Sequence, residues 1–259
     1  GYAFAQVTPR GDRDFANRTI NITYTVDQGP KTYVDRIEIR GNDKTRDYVI
    51  RREFDLAEGD AFNQVMIQKA KRRLEKLGFF ERVEVSTVPG DQPDQVVLVV
   101  DVVEKSTGEF SIGAGYTTGG ENQGVNLEAG ITERNFLGRG QFVKVSIGGT
   151  TSSRTYNLSF TEPYFLGYRI AAGFDIFKSN TEYTAYQVDR NGATVRFGLP
   201  ITDQLSGQIA YNIVQDEYSV RDQNEDGVIA PPEGLPSYVP DGKWLKSSLS
   251  YALTFNNID

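Results

Sequence analysis

Between residues 109 and 255 apolar and polar residues alternate with a period of two, the mark of strands that expose two chemically different faces. Eight segments read this way. In the first, Phe110, Ile112, Ala114 and Tyr116 share one face, and Glu109, Ser111, Gly113 and Gly115 the other. The second sets Val125, Leu127, Ala129 and Ile131 against Asn126, Glu128, Gly130 and Thr132. The split continues through 143–148, 155–160, 169–176, 193–199, 205–213 and 245–255. Before residue 105 the pattern is mixed. A strand at 33–40 carries Val34, Ile37 and Ile39 among charges and ends at Gly41-Asn42. Thr45 is placed to cap a helix with Val49, Ile50 and Phe54 on one face. After a turn at 56–60, Asn63 is placed to cap a second helix with Ile67, Ala70, Leu74 and Leu77 at helical spacing, stopped by Gly78. Strands at 80–87 and 96–103 follow, joined around Pro89-Gly90-Asp91. The predicted order over 30–105 is β-α-α-β-β.

Residues 1–29 repeat only the closing hairpin of that unit: alternation at 2–7 and 19–26 around a turn at Pro9-Arg10-Gly11-Asp12. Tandem copies of one small module point to an interaction array rather than an enzyme. Three segments result: 1–29, the closing hairpin of a preceding copy; 30–105, a complete α+β module; and 106–259, a run of antiparallel strands.

The alternation in 106–259 fits two architectures. A soluble sandwich turns its apolar faces inward. A membrane barrel turns them outward to lipid and lines a wet interior with the polar ones. Short and long connections alternate, and tyrosines recur near strand ends (Tyr116, Tyr156, Tyr164, Tyr168, Tyr186, Tyr211), where interfacial girdles sit. Both features favour the barrel. No apolar run approaches the ~18 residues of a spanning helix, and with Gly1 opening into a polar, strand-like stretch no leader is expected.

Composition narrows the chemistry. The 259 residues hold 28 Lys+Arg and 35 Asp+Glu, a net of 28 − 35 = −7, with no His and no Cys. That excludes thiol nucleophiles, zinc fingers and Ser-His-Asp triads, so no enzyme is expected. It also disfavours nucleic-acid binding, which needs clustered cations. A basic run on the second helix (Lys69, Lys71, Arg72, Arg73, Lys76) reads as a solvated face, with an anionic lipid surface or a partner as the alternative. The acidity gathers in 216–242, where seven acids face one base, and is expected to lie in one long outer loop. Within it, Asp222, Asn224, Asp226 and Glu233 match the calcium-loop pattern D-x-[DN]-x-[DN]-G-x5-E, although no helix flanks it and Pro231-Pro232 precedes Glu233. A solvated acidic loop is the alternative. Finally, 132–138 (Thr-Glu-Arg-Asn-Phe-Leu-Gly) recurs 29 residues on at 161–167 (Thr-Glu-Pro-Tyr-Phe-Leu-Gly). That spacing is one hairpin and puts both copies at the same end of the sheet. Gly is expected to supply the turn dihedrals, with Phe-Leu able to dip into an interface.

The ordered motifs now carry a resemblance. Tyr33-Val34-Asp35-Arg36-Ile37, Arg40-Gly41-Asn42, Thr45-Arg46-Asp47, Ile50-Arg51-Arg52-Glu53, Glu58-Gly59 and Leu77-Gly78-Phe79-Phe80 resemble a POTRA domain. Residues 107–116 and then 135–140 and 161–165 resemble the first strand and first periplasmic turns of the BamA family of outer-membrane β-barrel assembly factors. The resemblance implies a POTRA domain followed by about eight strands of a partial antiparallel transmembrane barrel. The matching region runs from the family's fourth POTRA domain to about the eighth of its sixteen strands. It implies an outer-membrane location with the POTRA part in the periplasm. It also implies a function without covalent chemistry, the insertion and folding of outer-membrane proteins by strand pairing at a lateral gate. The gate strand would be Phe110, Ser111, Ile112, Gly113, Ala114, Gly115 and Tyr116, weakened by its glycines; space beside bulky neighbours is the other reading of Gly113 and Gly115. The POTRA edge Val83, Glu84, Val85, Ser86 and Thr87 would guide extended substrate by β-augmentation. Arg52 and Glu53 would meet an assembly lipoprotein such as BamD, or be plain surface charges. Expected partners are outer-membrane lipids, unfolded outer-membrane proteins and those lipoproteins; no cofactor is expected beyond the possible calcium. A TamA-like or two-partner-secretion translocator is the alternative within the superfamily, and a soluble β-sandwich binding protein the alternative outside it.

Overall fold

A computed structural model describes residues 6–14, 17–28, 31–118, 123–183, 186–202, 204–220 and 242–256. The chain divides into two compact units, Gly1–Ser106 and Thr107–Asp259.

The first unit opens with a two-stranded antiparallel ribbon, β1 (Gln6–Asp14) and β2 (Thr19–Asp27). Val7, Ile20, Ile22, Tyr24 and Val26 share one face of it and are exposed. The turn expected at Pro9-Arg10-Gly11-Asp12 is instead inside β1, where Pro9 pairs with Tyr24. A two-stranded ribbon has only edge strands, and an edge tolerates a proline's missing N–H. The module proper follows as β3 (Tyr33–Arg40), α1 (Asp47–Arg51), α2 (Gln64–Leu77), β4 (Phe80–Pro89) and β5 (Gln95–Glu104). The sheet order is β3-β5-β4, with β5 parallel to β3 and antiparallel to β4. Central β5 is buried continuously from Val96 to Val100. Val34, Ile37, Val49, Ile50, Ile67, Leu74, Leu98 and Val100 form one core between helices and sheet.

The helix ends are set by specific groups. The Asn63 side-chain oxygen accepts from the Val65 and Met66 amides at 3.0 and 3.2 Å, and Gly78 ends α2 at φ 73°. Thr45 does not cap α1: that helix is a single turn whose N-cap is Arg46, with no side-chain cap. Thr45 is buried, and its amide and that of Lys44 donate to the Glu104 carboxylate at 2.7 and 2.9 Å. The loop is tied to the end of β5, which leaves the hydroxyl out of capping position. Phe54 lies beyond α1 but still fills the core. On α2, Arg73 is drawn onto Asp55 at 2.6 Å, while Arg72 and Lys76 face solvent.

The second unit is one antiparallel meander of eight strands in chain order. They are β6 (Gly108–Thr117), β7 (Gly124–Phe136), β8 (Gln141–Gly149), β9 (Ser153–Glu162), β10 (Ala171–Glu182), β11 (Tyr186–Pro200), β12 (Leu205–Val220) and β13 (Gly242–Phe255). Register places Ile131, Val145, Leu158, Ile176 and Ala193 side by side on one face, and Lys144, Ser159, Asp175 and Thr194 on the other. The apolar face is open: Ile112, Leu127, Leu249 and Tyr251 are all exposed, the last at 85%. A sandwich would cover that face with a second sheet, and among the described residues nothing does, so the soluble-sandwich alternative fails. No described helix is long and apolar enough to cross a membrane, which says nothing of strands.

β12 outruns the alternation read from sequence, which stopped at Ile213. Beyond it the residues continuing the apolar face are Gln215 and Glu217, so the strand leaves the apolar band without ending. Asp216 therefore belongs to β12 and not to the acidic loop; it is fully buried between Arg190 Nε and Lys246 Nζ, each 2.7 Å from it. The calcium-pattern residues Asp222, Asn224, Asp226 and Glu233 lie outside the described residues.

Candidate functional site

β6 is the terminal strand of the eight-stranded sheet. It pairs with β7 from Gly108↔Glu133 to Thr117↔Gly124, and its other edge meets no strand among the described residues. Phe110, Ile112, Ala114 and Tyr116 lie on the apolar face, and Ser111, Gly113 and Gly115 on the polar one, where Ser111 Oγ donates to the Gly130 carbonyl at 3.4 Å. Every residue of the strand is exposed.

The glycines of β6 differ from those deeper in the sheet. At Gly192 a Cβ would come within 2.2 Å of the Phe177 ring, and at Gly173 within 2.7 Å of the Phe160 carbonyl oxygen, so those positions need a residue without a side chain. At Gly113 a Cβ would meet nothing nearer than Glu128 Cβ at 3.9 Å, and at Gly115 nothing within 4 Å. Among the described residues no bulky neighbour occupies the space beside Gly113 and Gly115. They leave the strand without side-chain packing across it, which is the property that weakens a pairing.

The polar face deeper in the sheet is held by its own charges. Arg196 pairs with Asp175 across β10 and β11 and reaches Thr161 on β9. The Thr194 hydroxyl donates to the Asn212 side-chain oxygen at 2.8 Å. Arg190, Asp216 and Lys246 tie β11, β12 and β13 together. The Asp216 trio is not legible in the sequence, because Asp216 opens a run of acids; its phase with Asn212 and Ala210 is the available signal. No group of three His, Cys, Asp or Glu among the described residues could hold a metal ion.

In the first unit, β4 is likewise an edge. Val83 is buried and Val85 half-buried toward the core, while Glu84, Ser86 and Thr87 are exposed. The opposite edge, β3, is closed at its start: Val34 N–H donates to the Asp60 carbonyl and Gly59 N–H to the Val34 carbonyl, and Tyr33 bridges Ala61. β4 has no such cover among the described residues. Glu53 is not the plain surface charge of the alternative reading: at 4% exposure it is buried. The carbonyl of Glu53 accepts from Arg73, and Arg52 lies half-buried with its guanidinium 5.9 Å from the Tyr48 ring centre.

Comparison with known proteins places both units. Residues 32–105 match the family model for POTRA, described as a surface antigen variable number repeat, and residues 135–259 match the Omp85 superfamily domain. The two matches, taken unit by unit, are to a POTRA module and to an Omp85 superfamily domain. Within that class the chain is similar to outer membrane protein assembly factor BamA. The Neisseria meningitidis protein of that name is 29% identical over 87% of this chain, and that of Nitratidesulfovibrio vulgaris 30% identical over 90%. The chain spans 29% of the length of each. The crystal structure of BamA from Haemophilus ducreyi lacking POTRA domains 1–3 superposes over the whole chain with a TM-score of 0.76 at 29% identity, using 51% of that chain. CdiB from Escherichia coli shares the fold, with a TM-score of 0.57 at 17% identity. The likeness assigns an outer membrane to the open apolar sheet and the periplasm to the POTRA module.

Proposed function

We propose that this chain is the POTRA and leading-strand part of an outer-membrane assembly factor, which inserts and folds β-barrel proteins by pairing their strands at β6. The observation that carries this is an exposed terminal strand whose outer edge meets no strand among the described residues, two glycines that the described packing does not require, and seven further strands anchoring it from one side. Such an edge presents free backbone donors and acceptors to an incoming strand. The uncovered β4 edge suits the same role for an extended chain in transit. No covalent step is needed. Unfolded outer-membrane proteins are the proposed substrates, and outer-membrane lipids meet the apolar face. An assembly lipoprotein such as BamD is the proposed partner at the corner around Arg52, with Glu53 behind it. The sequence pattern at 222–233 makes calcium a candidate ligand there.

The test uses the absence of native cysteine. In an assembly-active protein carrying this region, Ser111→Cys crosslinks to a cysteine in the terminal strand of a nascent substrate. Continued assembly without any such crosslink would overturn strand pairing at β6.

A further inference from the structure

The turns at one end of the sheet hold side chains that strand pairing does not use. The β7–β8 and β9–β10 turns close at the end where β6 begins, because neighbouring strands alternate in direction. Their sequence echo is also a backbone echo. Gly138 N–H donates to the Asn135 carbonyl at 2.9 Å and Arg139 N–H to the Phe136 carbonyl at 3.1 Å. Twenty-nine residues on, Gly167 N–H donates to the Tyr164 carbonyl at 3.3 Å and Tyr168 N–H to the Phe165 carbonyl at 3.1 Å. Leu137 and Gly138 have φ of 54° and 72°; Leu166 and Gly167 have 55° and 81°. Two successive left-handed residues make a type I′ turn, whose first central position favours Asn, Asp or Gly. Leucine there is strained, and the chain places it so twice.

Neither strained side chain is in a core. Leu137 is 63% exposed and Leu166 79%. Phe136 and Phe165 beside them are also exposed. The β11–β12 turn at the same end is built differently, with the Thr202 hydroxyl oxygen accepting from backbone amides, yet it too presents an exposed apolar residue, Ile201. At the opposite end, the described β8–β9 turn is Thr150-Thr151-Ser152, with Thr150 and Ser152 joined through their hydroxyls. Cations accompany the apolar tips. Arg139 is exposed inside the first turn, and Arg169 follows the second, its Nε 3.2 Å from the Tyr164 hydroxyl.

We propose that these two turns are lipid-interface anchors. Leu137 and Leu166, with Phe136 and Phe165, enter the acyl boundary of the periplasmic leaflet, and Arg139 and Arg169 lie at the level of the phospholipid phosphates. The occupant is phospholipid because the Phe165 ring packs edge-on against Phe197 of the sheet's apolar face, which the outer-membrane likeness assigns to lipid, and because apolar and cationic groups alternate over a few residues as a headgroup boundary requires. Backbone strain persists where the surroundings compensate for it, and water does not compensate for two exposed leucines. The proposal rests on the membrane reading of the sheet.

The test places the chain in bilayers of phosphatidylethanolamine and phosphatidylglycerol. Separate variants Leu137→Cys, Leu166→Cys and Leu158→Cys carry an environment-sensitive fluorophore. The turn labels are expected to emit blue-shifted light and to be quenched by lipid brominated near the headgroup; the mid-sheet label at 158 responds to deep quenchers. Water-like emission at both turns with a lipid-buried label at 158 would overturn the anchors and leave the membrane reading standing. Water-like emission at all three would overturn both. A further chain combines Leu137→Asn and Leu166→Asn with a label at Tyr168→Cys. Asparagine relieves the turn strain, so folding is retained, and the label is expected to lose its shallow quenching. Unchanged quenching there would remove the leucines from the role.

Discussion

The POTRA module and the eight-stranded sheet use one sequence device to opposite ends. Val83 and Val85 on β4 alternate with charged and polar residues and turn toward a core of helices. Leu158 and Phe160 on β9 alternate with Asn157 and Ser159 in the same manner, and among the described residues of their unit no second layer covers their face. What differs is the number of layers. The module has two helices to lay over its sheet, and the second unit has no α-helix among its described residues. Alternation therefore states that two environments exist, and the rest of the chain decides which of them the protein itself supplies. Where it supplies neither a core nor a second sheet, the apolar environment must come from outside, and a bilayer is the one that spans eight strands.

Four substitutions can break or sharpen this contrast. The largest effect is expected in the module, where Leu98→Ala opens a fully buried site and should lower the free energy of urea unfolding by about 2–5 kcal/mol. A loss within the noise would mean the core is not as packed as its burial indicates. Next comes the open face. Leu158→Arg in bilayers should cost about 2–4 kcal/mol, the penalty for arginine near the midplane of a barrel's lipid face. Ser159→Arg, one residue away on the wet face, should cost no more than about 0.5 kcal/mol. Equal costs at the two positions would erase the distinction between faces.

A smaller loss than at Leu98 or Leu158 is expected at the loop tie in the module. Burial raises the Glu104 pKa, but hydrogen bonds from the Thr45 hydroxyl and from the Thr45 and Lys44 amides outweigh it and hold the carboxyl below its ordinary range. The folded chain thus releases this proton more readily than the unfolded one. The stability Glu104 contributes is complete above the ordinary carboxylate range and fades as pH falls through the depressed value. Glu104→Gln should remove about 1 kcal/mol at neutral pH and flatten that part of the acid-unfolding curve. An unaltered curve would show that Glu104 is bonded to the same extent in both states.

Much of this architecture can be read from residues alone, and the misses have identifiable causes. The eight alternating segments became eight strands, and Asn63 and Gly78 bound α2, because period and capping chemistry are local. Thr45 did not cap because a residue 59 positions away, Glu104, holds its amide. The β1 turn was misplaced because Pro-x-Gly-Asp is turn chemistry unless an edge strand absorbs it. The extent of β12 escaped because its last outward residues, Gln215 and Glu217, are polar on a strand that continues past the apolar band. Of the candidate site, the edge positions of β4 and β6 came from the family resemblance, and the sheet order agrees with them. The burial of Glu53 and the room at Gly113 and Gly115 did not, since both depend on neighbours that only the packed structure supplies.

The central claim is that the second unit is apolar outward. A cysteine scan along β9 in bilayers tests it most directly, using Thr155, Tyr156, Asn157, Leu158, Ser159 and Phe160 in turn with a polarity-sensitive label. The account predicts strict period-two alternation, with labels at 156, 158 and 160 in lipid and those at 155, 157 and 159 in water. Uniform exposure, or alternation in the opposite phase, would contradict it.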